Sequence, residues 1–289
     1  MRSHAEHSLR IERLGADDLP FALRLTRDNG WNQRADDWRR LLALACAGAR
    51  LARWGGRRAG TTVTCAFGPT AWIAMVLVAR SLRGRGIGQA LLADGIRYAE
   101  QRGCRTLRLD ATPLGRPLYE KVGFRAQFEV RRWAGHPRRA AAGRAPEFAL
   151  ARTRAPADLA AVCALDRAAT RTDRAPLLRR LASASAPWVA RDCEGRVRAF
   201  LFTRPGRVAR QIGPVCGDAD AARALLRRAL AQWAGRPVFL DAPANRADLS
   251  RIARAAGLDV ARDFLRMCRG REVIEDSALF HVSSGPELG

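Results

Sequence analysis

The stretch that decides the fold is Ala71-Trp72-Ile73-Ala74-Met75-Val76-Leu77-Val78, followed after four residues by Arg83-Gly84-Arg85-Gly86-Ile87-Gly88. The first part is a continuous apolar run with several β-branched residues, which is typical of a strand buried on both faces. After the glycines, apolar residues recur at three- and four-residue steps, which predicts an amphipathic helix. The sequence therefore predicts a central strand, a glycine-rich turn and a helix in direct succession.

The turn itself is a candidate anion site. Its glycines, at 84, 86 and 88, lie where the chain must turn sharply from strand into helix. Without side chains to block an anion, successive backbone N–H groups converge on it at the positive end of the helix dipole. Arg83 and Arg85 add positive charge. Glycine spacing alone does not separate such a site from a tight turn that binds nothing.

Two other phosphate-binding motifs differ from this turn. A nucleotide P-loop needs Gly-Lys-Ser/Thr after its spacer, whereas this chain continues Gly88-Gln89-Ala90, which excludes it. A dinucleotide-binding motif is closer, because Asp110 ends the next predicted strand. Its third glycine would fall on Gln89, however, and the turn follows a later strand rather than the first. This second motif stays open as a minor alternative.

Length and composition indicate a folded protein of two domains. The chain has 289 residues, 48% of them hydrophobic, which suffices for two separate cores. The formal net charge is +23, but the arginines are spread through both halves and Lys121 is the only lysine. This balance favours anionic ligands and gives no specific indication of a nucleic-acid partner.

Cysteine and histidine spacing predicts no metal. The seven cysteines are widely spaced, and the four histidines lie near the ends or in a predicted linker, without a His-Glu-x-x-His motif. The longest uncharged apolar run, 71–79, is about half of the roughly 20 residues that cross a bilayer. With no secretory signal pattern at the start, we expect a cytoplasmic protein with no membrane partner.

An internal echo predicts two copies of one α/β unit. Leu109-Asp110-Ala111-Thr112-Pro113 in the first half corresponds to Leu240-Asp241-Ala242-Pro243 in the second. Each closes a predicted strand and precedes a short helix and a last strand. The predicted domains are residues 1–135, a linker at 136–146, residues 147–275 and a C-terminal tail at 276–289.

Two motifs in order resemble the GNAT (GCN5-related) N-acetyltransferases. The loop at 83–88 matches the family's Arg/Gln-x-x-Gly-x-Gly/Ala, and Leu118-Tyr119-Glu120-Lys121-Val122-Gly123-Phe124 matches its downstream ending. Gly30-Trp31-Asn32-Gln33 and the Asp110–Pro113 turn fit a bacterial subgroup with a second, divergent GNAT-like domain. The resemblance implies an α/β fold of two tandem GNAT-like domains, each a central mixed β-sheet flanked by helices.

The resemblance also implies an activity, namely direct transfer of an acetyl group from acetyl-CoA to a small-molecule or peptide amine. The implied cofactor-binding residues are Leu77, Val78, Arg83, Gly84, Arg85, Gly86, Ile87, Gly88 and Gln89. Tyr119 would protonate the departing thiolate. Asp110 could act as base through water, but a carboxylate capping the turn is equally plausible. Trp31, Asn32 and Gln33 are candidate substrate contacts, although Trp31 fits a core aromatic equally well.

The second half lacks both motifs. Its loop position reads Gln211-Ile212-Gly213-Pro214-Val215-Cys216-Gly217-Asp218, without Gly-x-Gly, and Asp218 is a good helix N-cap whose charge opposes a pyrophosphate. The helix at 247–252 offers no tyrosine, so we expect a silent copy without its own CoA site. A non-catalytic acyl-CoA sensor and, less well supported, a basic nucleic-acid-binding protein are the alternative functions. The sequence names neither the amine nor the oligomeric state.

Overall fold

The computed structural model describes residues 8–138 and 147–289. The chain folds into two compact units. Unit 1 comprises the described residues up to Leu109 together with Arg269–Arg271. Unit 2 comprises the described residues of Asp110–Cys268 and Glu272–Gly289. Most of the predicted linker, residues 139–146, lies outside the described part of the chain.

The described residues of unit 1 form a mixed sheet with the order β1-β2-β3-β4-β5 and three α-helices. Neighbouring strands are antiparallel except β4 and β5, which are parallel. The predicted central strand is confirmed, because β4 lies between β3 and β5. The elements are β1 Leu9–Arg13, α1 Leu19–Asp28, α2 Ala35–Ala45, β2 Ala49–Trp54, β3 Arg57–Phe67, β4 Thr70–Val78, α3 Ile87–Gln101 and β5 Thr106–Ala111.

The strand β4 carries a bulge that separates its second half from β5. Met75 has φ 55° and is buried, and the register with β3 shifts between Thr61 and Val63. The parallel pairing with β5 covers only Thr70 to Trp72. A bulge bends the strand and increases its twist, so the two parallel strands diverge beyond that point.

The helix α3 packs closely on β3 because a glycine faces the sheet. A Cβ built on Gly95 would lie 2.7 Å from Thr64 Oγ1. At the start of the same helix, Ile87 is buried in a cluster with Ala52, Ala59 and Leu91. This packing fixes the position at which the glycine-rich turn enters the helix.

Unit 2 is a second mixed sheet, with the order β12-β6-β11-β10-β9-β8-β7 and β13 on β10. The strands β10 and β11 are parallel, and the other neighbours are antiparallel. The elements are α4 Arg116–Lys121, β6 Arg125–Gly135, β7 Ala149–Arg152, α5 Pro156–Thr170, α6 Ala175–Ala184, β8 Trp188–Arg191, β9 Val197–Arg204, β10 Arg210–Gly217, α7 Ala219–Gln232, β11 Val238–Pro243, α8 Ala247–Ala255, β12 Asp259–Gly270 and β13 Phe280–Val282.

The compact units do not coincide with the predicted halves of the sequence. The strand β6 comes from the first half, yet in unit 2 it lies between β11 and β12 of the second half. Val130 of β6 faces Phe264 of β12 at the middle of their antiparallel pairing. Periodicity shows where a strand ends but not which strand it pairs with. The predicted domain boundary at residue 135 therefore reflects the order of elements along the sequence, whereas the hydrogen bonding of β6 places it in unit 2.

The predicted tail is part of the folded core of unit 2. Residues 280–282 form β13, which pairs antiparallel with β10, and the residues that follow are mostly buried. The segment Phe280-His281-Val282 is too short for its pattern of apolar residues to identify a strand. Within 8–138 and 147–289, no helix is long and apolar enough to cross a bilayer.

Candidate active site

The glycine-rich turn presents its backbone amides at the start of α3. Gly84 and Gly86 have φ 76° and 75°, a left-handed conformation that glycine adopts without strain. A Cβ built on either would meet no atom within 4 Å, so the space around both is open. The first intrahelical hydrogen bond is donated by Ala90 to Gly86 O at 3.0 Å. The amides of residues 87–89 therefore precede the helical ladder and point outward.

The two arginines of the turn are exposed and held by neighbours in unit 1. Arg83 Nη2 donates to Asn29 Oδ1 at 2.7 Å. The guanidinium of Arg85 lies 5.8 Å from the ring centroid of Trp54, a cation–π distance. Sequence reasoning did not identify Asn29 or Trp54, because both are distant in sequence from the turn and carry no motif of their own.

All nine predicted cofactor residues lie on one strand–turn–helix segment of unit 1. Leu77 and Val78 end β4, paired with Thr61 and Gly60 of β3. Residues 83–86 form the turn, and residues 87–89 form the first turn of α3. A cavity of about 470 Å³ adjoins this segment, lined in part by Trp54 and by the two residues that precede Arg83.

This segment fits the diphosphate of a CoA thioester. The outward amides of a helix N-terminus and two exposed guanidinium groups are the donors that a pyrophosphate requires. The glycines at 84 and 86 leave the backbone accessible, since no side chain covers it.

The predicted substrate residues lie between α1 and α2. Asn32 and Gln33 are almost fully buried, whereas Trp31 is half-buried and its amide donates to Thr26 O at 2.9 Å. The nearby Trp38 is fully buried and its Nε1 donates to Thr26 Oγ1 at 3.0 Å, so it is a core residue. Of the three candidates, Trp31 therefore has the most surface with which to meet a ligand.

Tyr119 lies on α4 in unit 2, in an apolar setting. Its ring packs edge-on against Phe124, with centroids 6.1 Å apart, and burial raises the pKa of its hydroxyl to about 12. Gly115 lies behind the ring: a Cβ built there would be 3.0 Å from Tyr119 Cε2. Sequence reasoning missed Gly115, whose backbone is helical and so gave no turn signal. The tyrosine stays protonated at neutral pH, as a general acid requires.

Asp110 is engaged in a buried ion pair in unit 2. Its two carboxylate oxygens accept hydrogen bonds from Arg266 Nε at 2.8 Å and Nη2 at 2.9 Å. Arg266 Nη1 also donates to Glu275 at 2.5 Å, and the side chains of Asp110 and Arg266 are each 1% exposed. Burial lowers the pKa of Arg266, but the two carboxylates outweigh it and the pKa is raised overall.

The same arrangement occurs at the corresponding aspartate of the second half. Asp241 accepts two hydrogen bonds from Arg132, both at 2.7 Å, and the pair is buried. Asp110 is the next-to-last residue of β5 and is bound by Arg266; Asp241 lies on β11 and is bound by Arg132. Because the tyrosine is missing from the second half, the feature common to both pairs is a buried carboxylate bound by one arginine through two hydrogen bonds.

Two family profiles match the chain. The acetyltransferase (GNAT) family matches residues 18–124, and the acetyltransferase (GNAT) domain matches residues 162–280. The chain belongs to the GNAT acetyltransferases. The predicted family and the predicted α/β fold of two tandem GNAT domains are both confirmed.

Individual relatives agree with this GNAT assignment. The uncharacterized N-acetyltransferase YitH of Bacillus subtilis is 26% identical over 245 residues, covering 82% of this chain and 83% of YitH. The glucosamine 6-phosphate N-acetyltransferase of Trypanosoma brucei brucei is 43% identical over 51 residues, which are 18% of this chain and 35% of that enzyme. The chain thus matches only about a third of the trypanosome protein.

Solved GNAT structures share the fold. An acetyltransferase-like protein of Pyrococcus horikoshii superposes with a TM-score of 0.83 at 18% identity, covering 100% of both chains. A tandem GNAT protein from the clavulanic acid biosynthesis pathway gives 0.64 at 15% identity, covering 91% of this chain and 98% of that one. At such identities the likeness concerns the fold alone.

The second GNAT domain differs at its helix N-terminus. Asp218, predicted as the N-cap of α7, accepts hydrogen bonds from Asp220 N at 3.0 Å and Ala221 N at 3.3 Å, which confirms the prediction. In α3 the corresponding position is Gly86, which has no side chain to fill this role. The first amides of α3 therefore have no side-chain acceptor at the N-cap, whereas two of the corresponding amides of α7 donate to Asp218.

Among the described residues, no group of three or more histidine, cysteine, aspartate or glutamate side chains could hold a metal ion. The described cysteines are free thiols, and burial raises the pKa of Cys65 to about 12. Cys46 and Cys193 are exposed, whereas the buried thiols are suited to packing rather than nucleophilic attack.

Proposed function

We propose that this protein transfers an acetyl group from acetyl-CoA to an amine through a site in its first GNAT domain. The observation that carries the proposal is the contrast between α3 and α7. The helix α3 begins at glycines and has no side-chain cap. The helix α7 begins at Asp218, whose carboxylate accepts hydrogen bonds from two amides of its own helix. A diphosphate requires the first arrangement and is repelled by the second.

In this reaction, each residue of the site has a separate role. Acetyl-CoA supplies an activated thioester whose carbonyl carbon the amine nitrogen attacks directly. The amides of residues 87–89, with Arg83 and Arg85, hold the diphosphate, and the end of β4 orients the arm that carries the thioester. As the carbon–sulfur bond breaks, Tyr119 donates its hydroxyl proton to the departing thiolate.

For Asp110 we propose a positioning role. Both oxygens of this carboxylate accept hydrogen bonds from one buried guanidinium, which fixes its position. Its recurrence as Asp241 supports the same reading. The proton released by the amine would then pass to water or to another group, and Trp31 is the proposed contact for the acceptor.

The proposal is tested by a release assay. The full chain is mixed with acetyl-CoA and one amine at a time, drawn from amino acids, polyamines, aminoglycosides and peptide N-termini. Glucosamine 6-phosphate is included because it is named for the trypanosome relative. Free CoA and an acetylated product should appear together for at least one amine. Binding of acetyl-CoA without release for any amine would favour the sensor alternative.

A further inference from the structure

The cleft between β10 and β11 in unit 2 contains a segment of the same chain. The strand β9 pairs with β10 from Gln211 to Gly217 and so takes one edge of β10. On the other edge, β11 pairs with β10 only as far as Ile212. Since a strand has two edges, β13, which pairs with Val215 and Cys216, lies on the edge that β11 has left.

The first GNAT domain has the same pair of diverging strands. There β3 takes one edge of β4, and β5 pairs with the other edge only from Thr70 to Trp72. The free edge beyond Trp72 is where the family resemblance places the pantetheine arm of CoA. In the second domain, the corresponding edge of β10 is occupied by residues 280–282.

We propose that the β10–β11 cleft is a peptide-binding cleft whose ligand is the chain's own segment Leu279–Gly289, here called the tail segment. The tail segment takes the place that a cofactor arm takes in the first domain. The comparison rests on the proposed function of the first domain, because that function identifies the edge of β4 as a cofactor edge.

The tail segment hydrogen-bonds to both walls of the cleft. Gly217 N donates to Leu279 O at 2.9 Å on the β10 side, and Ser283 N donates to Asp241 O at 2.8 Å on the β11 side. A Cβ built on Gly213 would lie 2.1 Å from Ser283 O, so glycine is needed for this close approach. The segment is bound as an added strand, by its backbone.

Three arginines hold the tail segment and the residues just before it. Arg246, at the start of α8, donates to Ser277 O at 2.8 Å and Phe280 O at 3.3 Å, and its Nη2 lies 2.9 Å from His281 Nδ1. Arg204, at the end of β9, binds Ser284 O at 2.9 Å and the carboxylate of Glu287.

Arg174, at the start of α6, holds the far end of the tail segment. It binds Gly289 O and, at 3.3 Å, Leu288 O, while two hydrogen bonds to Asp166 fix its guanidinium. Both Arg174 and Asp166 are buried. Buried charges are costly unless they are paired; Asp166 pairs Arg174, and the carbonyls of the segment accept the hydrogen bonds of its third nitrogen, Nη1.

The N-terminus of α7 supports the same conclusion independently. Asp218 satisfies two amides of α7 with its own carboxylate, so an incoming diphosphate would meet a negative charge there. The second domain has thus lost the anion site at the helix and filled the strand edge. Together the two changes leave the first domain with the cofactor site of the chain.

Hydrogen exchange of the full chain, followed by mass spectrometry with and without acetyl-CoA, tests the proposal. In the free protein, the amides of 279–289 should exchange at least about a hundredfold more slowly than in an unstructured peptide, as slowly as those of β10. Acetyl-CoA should slow exchange at the turn of residues 83–88 and leave 279–289 unchanged. Rapid exchange of 279–289 in the free protein would overturn the proposal.

Two further results separate this proposal from the proposed function. Faster exchange at 279–289 on adding acetyl-CoA would show that the cofactor displaces the segment, and the proposal would fail while acetyl-CoA binding stands. No acetyl-CoA effect anywhere would contradict the proposed function, while protection of the segment would still support its residence. Val282→Asp should raise exchange at 279–289 and 215–217, whereas Ile274→Asp, at an exposed position, should not. If Val282→Asp does not fold, the wild-type exchange decides alone.

Discussion

At the scale of single residues, the chemistry depends on what surrounds each titratable group. Tyr119 lies in an apolar setting that raises its pKa to about 12, so its hydroxyl remains a proton donor across the physiological range. Asp110 is bound on both oxygens by Arg266, so its surroundings favour a fixed carboxylate. Tyr119 is therefore suited to donating a proton, and Asp110 is suited to a structural ion pair.

Replacing Tyr119 by phenylalanine removes the proton donor and keeps the ring. We expect kcat to fall by about 10²- to 10³-fold, with the KM for acetyl-CoA nearly unchanged, because a general acid acts only in the transition state. Tyr98→Phe is the matched control, since its hydroxyl donates to Ala45 O at 3.1 Å and should affect stability alone. Equal losses of kcat in both variants would contradict the role of Tyr119.

Alkaline pH gives a second test of Tyr119. Because its pKa is raised to about 12, ionisation of this hydroxyl should not lower kcat between about pH 8 and pH 10. A pH–rate profile of the wild-type protein measures this directly. A decline centred near pH 9 that is absent from Tyr119→Phe would show that the residue titrates much earlier than its surroundings indicate.

The two buried aspartates can be compared by the same substitution. Asp110→Asn and Asp241→Asn each remove the carboxylate that binds a buried arginine through two hydrogen bonds, so we expect each to cost about 3–5 kcal/mol of unfolding free energy. Urea unfolding measures both. At temperatures where both variants are folded, kcat should fall by similar small factors. A much larger loss for Asp110→Asn alone would restore it as the general base.

At the scale of elements, the decisive difference lies between the starts of α3 and α7. The helix α3 follows glycines with positive φ and is anchored by the buried Ile87, whereas α7 begins at Asp218. The two helices occupy corresponding places in two copies of one fold. A single position, Gly86 against Asp218, therefore separates an open helix N-terminus from a closed one.

Gly86→Asp introduces the residue of the second domain into the first. We expect the Kd for acetyl-CoA to rise by about 30-fold, roughly 2 kcal/mol, because a carboxylate at the helix N-terminus repels a diphosphate. Gly86→Asn is the matched neutral control, since asparagine also tolerates a left-handed backbone. If both variants weaken binding equally, the effect is one of backbone shape and not of charge.

The position and type of many elements could be predicted from the sequence, but the strands with which they pair could not. The strand–turn–helix of residues 71–101 is local, because apolar periodicity and glycine positions specify it. The insertion of β6 between β11 and β12 depends on pairing between residues more than 100 apart in sequence, which no local pattern records. For the same reason Arg266 and Arg132, the partners of the two predicted aspartates, could not be predicted.

At the scale of the whole molecule, the second domain combines a GNAT fold with its own internal peptide. His281 shows how tightly that peptide is held: its Nε2 donates to Gly217 O at 2.9 Å, and its Nδ1 accepts from Arg246 at 2.9 Å. This pattern requires the neutral imidazole. Burial lowers the pKa of His281 below its usual 6.5, and the charged neighbours Arg246, Asp248 and Arg223 modify it further.

Stability should therefore fall as the pH is lowered below about 6.5. Below that pH the unfolded chain binds a proton that folded His281 resists, so the unfolding free energy declines by up to about 1.4 kcal/mol per pH unit until the folded pKa is reached. Above about pH 6.5, His281 is neutral in both the folded and the unfolded chain, so it does not change how the unfolding free energy depends on pH. Urea unfolding from about pH 7.5 to 5 should show a shallower decline for His281→Gln than for the wild type. Equal slopes would contradict this role of His281.

The number of acetyl-CoA molecules that one chain binds tests the proposed division between the two domains most directly. Calorimetric titration of the full chain should give one equivalent per chain, with affinity weakened by Gly86→Asp and retained in Gly86→Asn. Two equivalents per chain, or one equivalent whose affinity Gly86→Asp leaves unchanged, would contradict a single cofactor site at the start of α3.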